Sequence, residues 1–319
     1  MRVLLLETVH PEALALMEAA VEVRFAERVD ADSVREAAAG CAAIITRGMG
    51  RIPASVLEGT PSLRCVARCG AGVDNIDVPA ASRLGLPVVH APDAGTRSVA
   101  EHALMLALAV ARQTSRWDQA VKRGDWHTRE GWQGVELAGK TLGVVGLGRI
   151  GRRAAELGAA LGMEVVAWNR TERPSPWPLL ALDSLLERSD VVSLHVALTD
   201  ATRGLMNAER LARLRPATIL VNTARGALID EAALAEALAS GRLAGAGLDV
   251  LVQEPPPDDH PLLALPNVIL TPHVAGLTDV AYRRMCVETV THVLRILDGQ
   301  PPDPAHVANR TALGLGGDN

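Results

Sequence analysis

The sequence predicts an α/β fold made of two doubly wound parallel-sheet domains. Three observations carry this expectation. Short apolar segments alternate with helix-like segments over residues 1–98. A second series of the same kind begins at Thr141. At its head, a glycine-rich turn separates an apolar run from a helical pattern. Such alternation favours parallel strands joined by crossover helices, and 319 residues suit about two domains of ordinary size.

Taken in order, Val3–Leu6, Val21–Phe25, Ala43–Thr46, Cys65–Cys69 and Leu86–Ala91 read as strands, with Pro11–Ala20 and Ala31–Ala39 as helices between them. Glu101–Thr114 reads as a long helix, whose apolar stretch around residues 103–111 is too short to span a bilayer. The second series places strands near Leu142–Val145, Glu164–Trp168, Asp190–His195, Thr218–Thr223, Gly245–Val250 and Val268–Thr271, with helices such as Glu231–Ser240 in the gaps. Asp279–Leu297 is an amphipathic helix, too little for a third domain, and is expected to pack back on one of the two. A frayed end is expected from Gly314 to Asn319. Residues 277–319 leave room for this helix and a tail, so no appended regulatory domain is expected.

Composition narrows the function classes. With 48% hydrophobic and 22% charged residues the chain can bury a sizeable core. A net charge of −5 without runs of like charge argues against a nucleic-acid or membrane-surface partner. Met1 leads straight into a strand-like segment, which gives no secretory signal pattern and an expected cytoplasmic location. Cys41, Cys65, Cys69 and Cys286 form no C-x-x-C and no metal-ligand spacing, so no metal is expected and the thiols read as buried and reduced.

The most informative stretch is Gly146-Leu147-Gly148-Arg149-Ile150-Gly151, which follows Leu142-Gly143-Val144-Val145. Strand, G-x-G-x-x-G turn and helix make the start of a dinucleotide-binding βαβ unit. The first glycine allows the tight turn, the second allows backbone to approach a pyrophosphate, and the third allows close packing. The helix N-terminus offers unpaired N–H groups to the phosphates. An ordinary glycine turn in an α/β protein is the competing reading.

In open α/β sheets, ligands bind beyond the carboxyl ends of the strands, and a site between two such domains would lie there. Arg225, Glu254 and His273 each follow a strand of the second series. Hydride transfer to a ketone needs a proton donor, a carboxylate to orient it and a cation to hold an acidic substrate. Histidine, glutamate and arginine fill those three jobs. Taken singly, Arg225 also reads as a structural ion-pair partner, Glu254 as a loop acid before three prolines, and His273 as a turn residue.

Longer motifs then join these residues. They are Gly70-Ala71-Gly72-Val73-Asp74-Asn75-Ile76-Asp77, Ser98-Val99-Ala100-Glu101-His102, residues 137–143 leading into the glycine turn, and Ser193-Leu194-His195-Val196-Ala197-Leu198-Thr199. Residues 221–226, Leu248-Asp249-Val250 followed by Glu254, and Thr271-Pro272-His273 complete the set. In all of them, over nearly its whole length, the chain resembles the D-isomer-specific 2-hydroxyacid dehydrogenase family. The resemblance implies a Rossmann cofactor domain, residues 99–276, inserted in a discontinuous flavodoxin-like substrate domain, residues 1–98 and 277–319. It implies reduction of a small 2-oxo acid to a D-2-hydroxy acid, or the reverse, of the glyoxylate, hydroxypyruvate or 3-phosphoglycerate type. His273 would be the acid/base, Glu254 its partner and Arg225 the binder of the substrate carboxylate and carbonyl. Backbone N–H groups of Gly70, Ala71, Gly72 and Val73 would hold the carboxylate from the other domain. Arg149 and Ile150 would approach the pyrophosphate with Gly146, Gly148 and Gly151. His195, Thr223, Asp249 and the turn His273–Gly276 would border the coenzyme.

Three positions depart from the family pattern. Asn169-Arg170-Thr171 stands where an acidic residue often ends the second strand of the cofactor domain. Gly95 replaces a frequent asparagine, and Ala197 a usual proline. An acid at the first place bonds the ribose 2′-hydroxyl and repels a 2′-phosphate. Asn169 is neutral, and Arg170, Thr171 and Arg173 can receive a phosphate. NADP(H) is therefore favoured, with NAD(H) also possible. Arg47 follows a strand and reads either as a second anion contact near the substrate's side chain or as a surface arginine. Some relatives are corepressors, so a nucleotide-sensing binding protein without turnover is the alternative. The complete Arg–Glu–His set favours the enzyme, and Glu254 speaks against formate dehydrogenases, which pair the active histidine with glutamine. Trp117, Trp126 and Trp132 lie in a segment, 115–140, of little core periodicity, which suits an extended arm buried in a homodimer.

Overall fold

The computed structural model describes residues 1–171 and 174–315. The expected Arg173 contact and the end of the tail, residues 316–319, lie outside that range. The chain forms two compact units, residues 1–95 with the chain from Leu277 onward, and Thr96–Gly276.

The first unit holds five strands, β1 (Arg2–Leu5), β2 (Glu22–Phe25), β3 (Ala43–Thr46), β4 (Cys65–Arg68) and β5 (Val88–His90). Between them lie α1 (Pro11–Glu18), α2 (Ala31–Ala37), α3 (Ala54–Glu58) and α4 (Val78–Arg83). All pairings are parallel, in the order β2-β1-β3-β4-β5, the flavodoxin-like doubly wound order. Successive side chains of a strand face opposite ways. Val3, Leu5, Ile45 and Ala67 thus enter one core layer, and Leu4, Ile44, Val66 and Val88 the other. The last helix, Asp279–Leu297, joins the first layer through Ala281, Met285, Cys286, Val290 and Val293. Arg283 forks onto the carboxylate of Glu12 at 2.6 Å through both nitrogens. After it, Val307 bridges Val89, and Asn309 accepts from Val88 N–H and donates to the Leu86 carbonyl. Helices α3 and α4 are too short to show a periodic pattern in the sequence.

The second unit runs α5 (Thr96–Ala111), α6 (Thr114–Lys122), β6 (Thr141–Val145), α7 (Arg149–Ala160), β7 (Glu164–Trp168), α8 (Leu182–Arg188), β8 (Val191–Leu194), α9 (Ala208–Arg213), β9 (Ile219–Asn222), α10 (Glu231–Ala239), β10 (Gly245–Leu248) and β11 (Val268–Leu270). The helix Asp279–Leu297 is α11. Strand order is β11-β10-β9-β8-β6-β7, all parallel. Leu179 bridges Ala167 on the outer side of β7. A single residue so occupies the third place of the dinucleotide-binding order 3-2-1-4-5-6.

Helix α5 starts five residues before the expected Glu101, and the second unit starts with it. Its first turn is polar, and an apolar pattern cannot reveal it. Ser98 is buried there and donates to the Ala275 carbonyl at 2.7 Å. The helix stops before Gln113, which has a left-handed φ of 49°. The segment expected as an extended arm instead begins with helix α6 and a 3-10 turn at Trp126–Arg129. Trp117 and Trp132 pack edge to face with centroids 4.7 Å apart, while Trp126 is 57% exposed. Among the described residues, no helix is long and apolar enough to cross a membrane.

Candidate active site

The glycine turn leaves β6 at its carboxyl end, beside the point where the chain crosses from one side of β6 to the other. Gly146 has φ 102°, and a side chain there would meet Val196 and the His195 carbonyl at under 3 Å. A Cβ on Gly151 would come within 1.9 Å of the Gly146 carbonyl oxygen, so only glycine lets α7 start so close to the strand. At Gly148 the corresponding space is open. Gly148 caps α7 without a side-chain hydrogen bond, which leaves the helix N–H groups of the Arg149–Gly151 turn directed outward. A cleft of about 230 Å³ opens here, lined by Gly146, Gly148, Asn169, Arg170, Thr171 and His195 among others. Burial pushes the His195 imidazole down to about pKa 4, and its Nε2 lies 2.9 Å from Ser193 Oγ. The Asn169 side-chain amide donates to the Thr171 carbonyl at 2.8 Å, closing a turn with Arg170 exposed at its tip.

Across the same sheet edge, β9 ends at Asn222, which is fully buried. Its amide donates to the Arg225 carbonyl at 2.8 Å and its oxygen accepts from Ala224 N–H at 3.0 Å. This clamp shapes the turn that presents Arg225. The hydroxyl of Thr223, in the same turn, is buried with no hydrogen-bond partner. An orphaned hydroxyl and the open face of Gly148 are what a dinucleotide would fill, so the residues present fit that group.

His273 Nδ1 lies 2.7 Å from Glu254 Oε2. A carboxylate only accepts, so Nδ1 carries the proton of this bond and Nε2 is the outward nitrogen. Glu254 Oε1 accepts from Leu251 N–H at 3.0 Å. Burial alone would raise the Glu254 pKa. The His273 hydrogen bond and charge, the Leu251 N–H and the Arg225 charge outweigh it and hold the carboxyl below its ordinary value.

His273 itself has a left-handed φ of 54°, an uncommon conformation for a residue with a side chain. Its N–H donates to the carbonyls of Asp249 and Thr271. The Asp249 side chain completes the support. Oδ1 accepts from Thr271 Oγ1 at 2.5 Å and Val274 N–H at 2.9 Å, and Oδ2 accepts from Ala275 N–H at 2.9 Å. His102 Nε2 donates to the Thr271 hydroxyl at 2.9 Å. Asp249, expected at the coenzyme's border, is thus bonded on both oxygens to the turn that carries His273. It is 1% exposed and engaged by the histidine turn, through Gly276's neighbour Ala275.

In the first unit, the loops after β3 and β4 meet through a bridge between Ile52 and Ile76, and Asn75 Nδ2 donates to the Gly50 carbonyl. Gly70 has φ 148°, and its carbonyl accepts from Ala91 N–H. Arg68 donates to the Gly72 carbonyl, and His90 Nδ1 bonds the Ala71 carbonyl. The carbonyls of residues 70–72 are thereby tied back to the scaffold. Arg47 is not a loose surface arginine. Its Nε pairs with Glu7 at 3.2 Å and its guanidinium lies 5.3 Å over the Tyr282 ring. Glu7, only 7% exposed, also accepts from the N–H groups of Arg47, Gly48 and Met49 at 2.6–2.7 Å. Sequence reasoning missed Glu7 and Asn222. Each is a polar residue directly after or at the end of an apolar strand, which is the signal it had available.

No metal-ligand spacing is evident in the sequence, yet the fold brings His292, Asp303 and His306 within 4.8 Å of one another. The two imidazoles are stacked, with centroids 3.8 Å apart and planes 20° apart. Their in-plane lone pairs run side by side rather than converging on one ion.

Residues 104–275 match the family model of the D-isomer specific 2-hydroxyacid dehydrogenase, NAD binding domain. The chain belongs to this family. It is 41% identical over 311 residues to a D-3-phosphoglycerate dehydrogenase of Mycobacterium bovis, covering 96% of this chain and 58% of that protein. The chain thus spans little more than half the length of such relatives. It is 38% identical to a glyoxylate reductase of Aeropyrum pernix, with 94% of each covered. Among solved structures, a Thermus thermophilus protein superposes with a TM-score of 0.90 at 40% identity, over 97% of this chain and all of that one. An NADPH-dependent glyoxylate/hydroxypyruvate reductase of Sinorhizobium meliloti, in complex with NADP and malonate, gives 0.87 at 32%, over 98% and 97%. A D-lactate dehydrogenase of Aquifex aeolicus with NAD and lactic acid gives 0.88 at 28%, over all of both chains. Family members accordingly bind NAD(H) or NADP(H).

Proposed function

We propose that this protein is an NAD(P)-dependent D-2-hydroxyacid dehydrogenase that interconverts a small 2-oxo acid and its D-2-hydroxy acid. The 2.7 Å bond between His273 and Glu254, beside the Arg225 charge, carries the reading. A bound nicotinamide coenzyme supplies or takes the hydride. His273 gives a proton from Nε2 to the carbonyl oxygen during reduction and removes it in the reverse direction. Glu254 fixes the ring's tautomer and orientation. Arg225 pairs with the substrate carboxylate. Arg47, held by Glu7 and Tyr282, is the candidate second anion contact, which favours hydroxypyruvate, glyoxylate or a phosphorylated acid.

Gly146, Gly148, Arg149, Ile150 and Gly151 hold the pyrophosphate. Asn169, Arg170 and Thr171 receive the adenosine ribose, and NADPH is the preferred coenzyme because, among the described residues of the turn, Asn169 is neutral and the exposed Arg170 offers a guanidinium. The protein works as a homodimer through the α6 segment, where the exposed Trp126 and Val121 supply apolar surface. Four unpaired, buried cysteines suit a reducing compartment such as the cytoplasm. The test is a panel of glyoxylate, hydroxypyruvate, its 3-phosphate and pyruvate, each with NADH and NADPH. Turnover of at least one is expected. Coenzyme binding without turnover of any would favour a nucleotide-sensing binding protein.

A further inference from the structure

Glu254 sits on an exposed loop, yet its partner bond demands a fixed position. The structure supplies a brace behind that loop. The Arg225–Gly226 turn presses directly on it, since a Cβ on Gly226 would lie 2.0 Å from the Leu251 carbonyl carbon. Leu251 N–H is bonded to Glu254. The next residue, Val252, donates its N–H to Glu231 Oε1 at 2.8 Å. The other carboxylate oxygen of Glu231 accepts from His260 Nε2 at 3.1 Å. His260 Nδ1 accepts from Leu262 N–H at 3.4 Å, which fixes the ring as the Nε2–H tautomer. The Glu231 and His260 side chains are only 15% and 11% exposed.

We propose that Glu231 and His260 are positioning residues, which lock residues 251–254 against the Arg225 turn and so set Glu254 on His273. Glu231 opens α10, five residues after the Gly226 turn, so one rigid element ties the Arg225 strand end to the Glu254 loop. A mostly buried carboxylate is costly to desolvate, and apolar side chains of the same size would serve the fold as well. What the carboxylate adds is a directed acceptor for one loop N–H. A misplacement of about 1 Å in a catalytic group can cost on the order of a hundredfold in rate, which gives the brace functional weight.

The inference rests on the catalytic reading of His273 and Glu254, and the test separates the two. E231Q keeps the shape but can satisfy only one of its two donors. H260L removes the donor at similar volume, and H260Q restores an N–H donor toward Glu231. E231Q and H260L should each lower kcat/KM by about tenfold or more, with coenzyme Kd within about threefold of the wild type. H260Q should recover to within about threefold of wild type. The His273 ring titration, followed by NMR, should shift in E231Q and H260L in the direction seen in E254Q. Wild-type rates and titration in both variants would overturn the brace, as would lost activity with an unchanged His273 titration. Full turnover in H273A would instead overturn the catalytic reading, and the NMR comparison would still report on the brace. If H260L does not fold, E231Q carries the same comparison.

Discussion

Replacing Asp249 with asparagine separates two jobs that a buried acid at this position can have. In the structure its oxygens hold three donors, the Thr271 hydroxyl and the N–H groups of Val274 and Ala275. An asparagine of the same shape keeps its carbonyl toward Thr271 and Val274. Its NH₂ then faces the Ala275 N–H, donor against donor. One hydrogen bond to a charged group, worth about 1.5–3 kcal/mol, becomes an unsatisfied buried donor costing about 1–3 kcal/mol. A net destabilisation of about 2.5–6 kcal/mol follows, a large part of a typical total of about 5–15 kcal/mol. The same turn holds His273 at φ 54°, a left-handed conformation costing about 1–2 kcal/mol, so the loss is enough to release it. Urea unfolding should show the lower midpoint. Steady-state assays should show kcat reduced by about 10–100-fold, because the proton donor loses its position. Coenzyme Kd should stay within about threefold, because the carboxylate serves the turn. A tenfold weaker coenzyme affinity with unchanged kcat and unchanged urea midpoint would show that Asp249 contacts the coenzyme and that this reasoning is wrong.

His273→Ala should lower kcat by about 10²–10⁴ while the fold persists, and near-normal turnover in the folded variant would refute its role. Gly148→Ala should melt like the wild type but bind NADPH more weakly, whereas Gly151→Ala, with its Cβ 1.9 Å from a carbonyl oxygen, should lower the melting temperature markedly. Equal melting and equal NADPH titrations for the two would remove the distinction. His195, with its pKa pushed from 6.5 to about 4 by burial, stays neutral when the unfolded chain's histidine takes up a proton. Its stabilising contribution is complete above pH 6.5 and is lost as pH falls toward about 4, by at most about 3 kcal/mol. Urea midpoints between pH 7.5 and 4.5 should therefore fall less in His195→Gln than in the wild type. Asn169→Asp combined with Arg170→Ala should raise the kcat/KM ratio of NADH over NADPH, and a clear advantage for NADH in the unmodified protein would show the loop misread.

Much of this arrangement is legible in the sequence because it is local. Strand, glycine turn and helix at residues 142–157 are contiguous, and Glu254 and His273 each follow a recognisable apolar strand. What stays hidden depends on partners far along the chain. Asp249 shows only as an acid in a strand-end motif, and its grip on the turn 22–26 residues later exists only after β10 and β11 pair. Glu7 gathers a loop 40 residues away. The start of α5 is fixed by a hydrogen bond between Ser98 and Ala275 rather than by any apolar period. Helix α6 escapes a sequence reading because its three apolar residues, Trp117, Ala120 and Val121, are outnumbered by polar ones.

The return of the chain to the first unit through α11 also sets an order of events at birth. One core layer of that unit needs Ala281, Met285, Cys286 and Val290 to close over Leu5, Ile45 and Ala67. Those residues are made only after the whole span Thr96–Gly276. At a synthesis rate of about 5–20 residues per second, the half-covered sheet waits roughly ten to forty seconds for its lid. The inserted unit is contiguous and can fold during that interval. Translation therefore favours assembly from the middle outward, and a chaperone bound to the nascent chain would find its apolar target on the open face of β1, β3 and β4.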